Sequence, residues 1–475
     1  MGLRESNPRL GDSPLAKTLN WSAFYQILIL VIFLGTAFDN MDQVTCSFIL
    51  PMMRMEWHLN YIQGSYMPAA ALLGTCVGAI FWGMVGDRIG RRKALMFTIL
   101  LFSITNLIQT HAWSYVQFCL TCFFMGVGVG GEIPLAFTML SEFLPASVRT
   151  RTTLVVGILA IVLGYAFSAV SAHFLLPVVG WKALFYVQAL PALLVLIVRF
   201  QLPESPRYLR STGQEMAAQR VAAEVKRRTG NYNPLEDSEE GLLVMDNRQP
   251  LLEGLRMLWR SIYLHRTVAN WLFGFCIGFF EFGFIIWLPT TLKNLGYSDA
   301  QSVSYPLLIN FFAIPSVFAA LYLLHKGGSK LILTIYPLMA GILMLVLGFF
   351  LPQVASHPVA LVLIGGGIFF FGTTLLGIFP PYSSEVYPTE VRGTGSGWSA
   401  GMTRIGSFIG PLTGGVLLEL GVVAQYQIVL FGAALLIGAL IMLAYGVQTH
   451  KQTLEQISPS YPRQPTVKEE YVLSQ

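Results

Sequence analysis

Apolar residues along this chain come in runs of about 20 or more, separated by short polar segments. Twelve such runs fall near 22–50, 63–86, 94–112, 115–141, 152–177, 181–202, 267–291, 301–325, 330–352, 358–383, 393–419 and 424–447. A helix needs that length to cross ~30 Å of hydrocarbon, whereas barrel strands would be half as long and would alternate. The pattern predicts an all-α integral membrane protein with twelve transmembrane helices. One long polar stretch, 203–266, splits the runs into a six-span half at 1–202 and a second at 267–450, and the proline-containing segment 451–475 reads as a disordered cytoplasmic tail. Within the central stretch, Ala217, Ala218, Val221, Ala222 and Val225 share one face of a surface helix that ends in Lys226, Arg227, Arg228 and Gly230.

Charge orients the spans. With the N-terminus inside, only Arg54, Lys182 and Lys293 of the 30 basic residues lie outside, and Arg199 and Arg404 lie within spans. This asymmetry favours an even span count with both termini cytoplasmic, in a cell membrane that is expected to be a bacterial inner membrane. A composition of 54% hydrophobic and 12% charged residues excludes a soluble globular protein. The first run leads into Asp39, Asp42 and more helix instead of a cleavage site, so it is a span. All five cysteines fall in apolar runs; Cys119 and Cys122 match a redox motif in spacing but lack its context. No phosphate-binding loop, metal cluster or triad is legible, so neither an enzyme nor a cofactor is expected, and nucleic acid is not an expected partner.

The chain repeats itself. Ser141-Glu-Phe-Leu-Pro145-Ala-Ser-Val-Arg149 returns as Ser384-Glu-Val-Tyr-Pro388-Thr-Glu-Val-Arg392, with Ser, Glu, Pro, Val and Arg kept at an offset of 243. Between spans two and three lies Gly83-Met-Val-Gly86-Asp87-Arg88-Ile-Gly90-Arg91-Arg92-Lys93. This loop resembles the signature of the major facilitator superfamily, in the loop and half where that signature belongs. The resemblance implies a two-half carrier with a central site that works by alternating access. Asp87, Arg88, Arg91, Glu142, Arg149, Glu385 and Arg392 are then expected to form cytoplasmic gating contacts. The equivalent second-half loop, His325-Lys326-Gly-Gly328-Ser-Lys330, lacks the acid, so the latch is expected to be asymmetric.

Pro203-Glu204-Ser205-Pro206-Arg207 resembles a motif shared by sugar porters and organic-ion transporters. Span seven, Gly274 to Gly283, carries no glutamine, which weakens the sugar reading. Span eleven carries Thr403-Arg404-Ile-Gly406-Ser407, similar to organic-anion transporters with a basic residue there. The short first external loop brings the resemblance nearest to bacterial niacin and aromatic-acid proton symporters.

A charge in the middle of a span costs roughly 3 kcal/mol, so Arg404 is a functional candidate by default. Gly397, Gly401, Ser407 and Pro411 sit at helical spacing near it and would leave room for a ligand beside a guanidinium, which grips carboxylates bidentately. The alternative is close helix packing with Arg404 paired to an internal acid. Acids in spans are Asp39, Asp42, Glu132 and Glu281, the candidate proton carriers. Tyr165, Trp287, Tyr382 and Trp398 lie on spans that line the cavity in the family and are candidates to clamp a planar ligand. The expected activity is proton-coupled uptake of a small organic anion, an aromatic monocarboxylate such as nicotinate or benzoate, by a monomer in the lipid bilayer. An organic-cation or sugar carrier, and a non-transporting receptor signalling through 203–266, are the alternatives.

Overall fold

The computed structural model describes residues 22–229, 256–259, 261–387 and 391–449. The tail at 451–475 and residues 230–255 and 260 of the central stretch fall outside the described residues. Among the described residues the regular elements are helices: α1 (Ala23–Glu56), α2 (Tyr61–Ile89), α3 (Arg91–Gln109), α4 (Tyr115–Phe143), α5 (Ala146–Val179), α6 (Lys182–Gln188), α7 (Ala192–Gln201), α8 (Pro206–Ser211) and α9 (Glu215–Thr229) come first. They are followed by α10 (Ser261–Asn294), α11 (Asp299–Phe311), α12 (Ala313–Phe349), α13 (Leu351–Ala355), α14 (Pro358–Gly372), α15 (Leu375–Glu385), α16 (Arg392–Glu419) and α17 (Ala424–Tyr445).

Among the described residues, nine helical stretches are long and apolar enough to cross a membrane. One of them, Asp299–Phe349, is twice bilayer length and is broken inside α12 at Gly328, where φ is +76°. Counting it as two and adding α3 and α16 gives the twelve spans expected. Those two fall short for a chemical reason: α3 begins in Arg91, Arg92 and Lys93, and the first half of α16 is Gly-, Ser- and Thr-rich. Span six differs from the expected single helix: it breaks between α6 and α7 at Ala189–Pro191, where proline removes a backbone donor.

The chain divides into two compact units, Met1–Val244 with Tyr297–Leu307 and Met245–Gly296 with Leu308–Gln475. In the first unit, glycines of α4 let its backbone meet that of α2: a Cβ on Gly126 or Gly130 would strike the carbonyl oxygen of Ala71 or Thr75. Ser304 joins this unit through His173 Nδ1, at 3.0 Å. In the second unit α10 and α16 pack most extensively, with Gly278 against the Thr403 carbonyl and Gly406 against that of Phe275. The sequence repeat has a structural counterpart. Ser141 Oγ donates to the Thr138 carbonyl at 2.8 Å and Ser384 Oγ to the Pro381 carbonyl at 2.7 Å, each three residues back along its own helix.

Candidate functional site

Three acids meet in the core of the first unit. Asp39 and Asp42 lie near the middle of α1, 0% and 2% exposed, and Glu132 lies on α4 at 1%. Gly35, one turn before Asp39, is what admits Glu132: its Oε1 occupies the space where a Cβ would stand. From there the Glu132 carboxyl lies against α1 one helical turn from Asp39. Asp42 is held separately. Its Oδ2 accepts from Asn106 Nδ2 on α3 at 2.9 Å, and the same Nδ2 lies 3.4 Å from the Gln188 carbonyl on α6. Gln188 Nε2 in turn donates to Thr45 Oγ1, which sits 2.9 Å from Ser168 Oγ on α5. A buried polar network therefore joins α1, α3, α5 and α6 around the acids. Asn106, Gln188, Thr45, Ser168 and Gly35 carry no motif, and the only sequence signal for the polar ones is their place inside apolar runs.

The fourth acid belongs to the second unit. Glu281, on α10 in the second unit, is 0% exposed, and neither of its oxygens has a hydrogen-bond partner among the described residues. A buried polar group left without a partner costs free energy, and such a group persists where it has work to do.

Arg404 lies partly buried halfway along α16. Around it the structure sorts the small residues differently from the sequence expectation. Gly397 and Gly401, two turns and one turn before Arg404, face open space, with nothing within 4 Å of an added Cβ. Ser407 and Pro411 turn to α10 instead. Ser407 packs against Gly278, and the Pro411 carbonyl accepts the indole N–H of Trp287 at 2.9 Å. One helix thus carries a packing face and an open face, and the guanidinium shares the open one by spacing.

The aromatic candidates are dispersed. Trp287 is 1% exposed and its only donor is spent on Pro411. Tyr382, also 1% exposed, accepts from the backbone N–H of Val447 at 2.7 Å, just past the end of α17. Trp398 is 42% exposed and stacks on Trp271 at 5.4 Å. Tyr165 is buried on α5 in the first unit.

The charge cluster of the loop between α2 and α3 is well formed in the first unit. Arg91 pairs with Asp87 at 2.7 Å, approaches Glu142 at 3.9 Å, donates to the Gly86 carbonyl at 2.9 Å and lies 5.4 Å from the Tyr208 ring. Glu204, from the proline-rich motif, accepts from the backbone N–H of Arg92 at 3.1 Å and so caps the start of α3. Tyr208 Oη donates to the Arg88 carbonyl at 2.7 Å. Gly90 is required twice over, by its φ of +101° and by the crowding of Glu204 and Tyr208 where a side chain would go. Arg88 itself is exposed, and Arg149 holds the Leu144 carbonyl at 3.0 Å. Glu385 closes α15; the side chain of Arg392 and residues 388–390 lie outside the described residues. Asp87 is 72% exposed, so its pair with Arg91 is worth at most about 1 kcal/mol and breaks readily.

The model of the family described as sugar (and other) transporter matches residues 30–461. The niacin transporter of Acinetobacter baylyi is 28% identical over 455 residues, covering 94% of this chain and 98% of that protein. The 4-hydroxybenzoate transporter of Pseudomonas aeruginosa is 27% identical over 402 residues, covering 83% and 86%. Among solved structures, the inward-open xylose transporter from E. coli has a TM-score of 0.74 at 19% identity, over 91% of this chain and 99% of that one.

Proposed function

The chain belongs to the sugar (and other) transporter family, as a multi-pass membrane carrier of the major facilitator fold and not an enzyme, and from that premise we propose that it takes up a small aromatic monocarboxylate, such as nicotinate or benzoate, together with protons. The observation that carries this reading is the open face of α16, where Gly397 and Gly401 leave room on the side of Arg404. A guanidinium can grip a carboxylate with two parallel hydrogen bonds. The niacin and 4-hydroxybenzoate carriers similar to this chain are named for ligands of that class.

Protons enter through the acids. Asp39, Glu132 and Asp42 form a cluster that takes up and releases protons as the carrier cycles, and Glu281 is the candidate in the second unit. A carboxylate that crosses with a proton carries less negative charge against an inside-negative potential than the anion alone. Asp87, Arg91 and Glu142 act as a gating cluster, made of contacts weak enough to part at each turnover. The carrier works as a monomer in a bacterial inner membrane with both termini cytoplasmic.

The test is uptake of radiolabelled nicotinate and benzoate into proteoliposomes, with and without an inward proton gradient, for the wild type and Arg404→Ala. Gradient-driven uptake that disappears in the variant is the expected result. Uptake indifferent to the gradient removes proton coupling, and failure to take up either acid removes the substrate class.

A further inference from the structure

A basic cavity of about 260 Å³ opens in the first unit at the cytoplasmic end of α7. Arg92, Arg199 and Arg228 line it, together with Phe24, Phe200 and Gln201. The three guanidinium groups are committed to different degrees. Arg92 donates to the carbonyls of Val198 and Arg199, so it is fixed in place by backbone alone. Arg228 is held by Glu224 at 2.6 Å and lies 3.5 Å from the Gln201 carbonyl. Arg199 is exposed and has no acidic partner among the described residues. Glu224 is the one carboxylate in the lining and is shared with Arg227, so the cavity keeps an excess of positive charge.

Two apolar stripes lead out of this cavity. Leu193, Leu196 and Phe200 recur at i, i+3 and i+7 on α7 and are 63%, 55% and 75% exposed. Ala23, Ile27 and Leu30 recur at i, i+4 and i+7 on α1; Ala23 and Ile27 line an adjoining cavity that shares Phe24, Gln201 and Arg228 with the first. On helices that span a membrane, exposed leucine and phenylalanine face acyl chains. The arginines stand at the cytoplasmic end of both stripes, at headgroup depth.

We propose that this cavity is a binding site for an anionic glycerophospholipid of the cytoplasmic leaflet, with the phosphodiester on Arg199, Arg228 and Arg92 and an acyl chain along the α1 and α7 stripes. A soluble phosphate ester shares the headgroup chemistry but has no use for the stripes, and that difference separates the two sources. The site lies wholly outside the residues assigned to substrate, protons and gating. Its occupant staples α9 to the ends of α1 and α7.

Native mass spectrometry of the full chain, released from micelles carrying dioleoyl phosphatidylglycerol or dioleoyl phosphatidylcholine, tests this directly. The wild type is expected to retain phosphatidylglycerol over phosphatidylcholine, and each arginine removed in Arg199→Gln and Arg228→Gln is expected to lower retention about 5-fold. Arg227→Gln, which changes a charge outside the lining, is expected to retain the lipid as the wild type does. Glycerol 3-phosphate at millimolar concentration is expected not to displace it. Equal retention of the two lipids by the wild type overturns the proposal without reference to any variant. Unchanged retention in Arg199→Gln/Arg228→Gln overturns the site, and displacement by glycerol 3-phosphate overturns the lipid as its occupant.

Discussion

Asn106 reaches across from α3 and donates to Asp42 on α1 at 2.9 Å, with both side chains buried. Replacing Asn106 by Leu leaves the Asp42 carboxyl without that donor, at a cost of about 1–3 kcal/mol. We expect a lower thermal midpoint in detergent and uptake reduced by an order of magnitude. A variant with wild-type uptake would mean that Asp42 has no part in the proton cluster.

Gly35→Ala separates function from folding. The new methyl would take the place of the Glu132 carboxyl, the end of a flexible side chain that can swing away at little cost. The protein is expected to stay monodisperse with a near wild-type midpoint, while gradient-driven uptake falls at least about 10-fold because Glu132 is displaced from its place on α1 one turn from Asp39. Midpoint and proteoliposome uptake, measured on the same preparation, decide it.

The two faces of α16 predict opposite outcomes for one kind of change. Gly401→Ala adds a methyl to open space and is expected to leave stability unchanged while raising KM for the larger of two aromatic acids. Gly406→Ala drives a methyl into the Phe275 carbonyl and is expected to cost about 1–3 kcal/mol or prevent folding. Reversed phenotypes would dissociate the open face from the ligand.

On α9, hydrogen bonds from Arg227 and Arg228 hold the Glu224 carboxyl below the ordinary glutamate value of 4.5. A group whose pKa is depressed on folding stabilises the fold above its unfolded value and loses that contribution as pH falls through the lower, folded one. Amide exchange along α9 is therefore expected to quicken below about pH 4.5 beyond the change seen for Glu224→Gln, which cannot titrate. Identical acid profiles in the two proteins would deny Glu224 that role.

Much of the architecture could be read from residue patterns because bilayer physics is blunt: about 20 apolar residues span, and arginines stay inside. The repeat at Ser141 and Ser384 was legible for a related reason, since a turn between spans fixes its residues locally. What escaped was partnership at a distance. Trp287 and Tyr382 are legible as aromatics inside spans, while the partners of their polar atoms, Pro411 and Val447, are not, because nothing in a helix's own sequence says which neighbour it meets. Asn106 and Gly35 are single residues without a motif, and their meaning exists only once α3 and α4 are brought against α1. The proline-rich motif was legible as a family mark, while its physical task, capping α3 with Glu204, needed the fold.

Arg91 draws on four partners at once: Asp87, Glu142, the Gly86 carbonyl and the Tyr208 ring. Shared among them, the load has redundancy. Losing an acid slackens the hub without dismantling it, so Asp87 or Glu142 can be worn down singly and the carrier still cycles, at a shifted balance of its states. Losing the arginine removes every strut together. Tolerance at the spokes and intolerance at the hub follow from one side chain being used four ways.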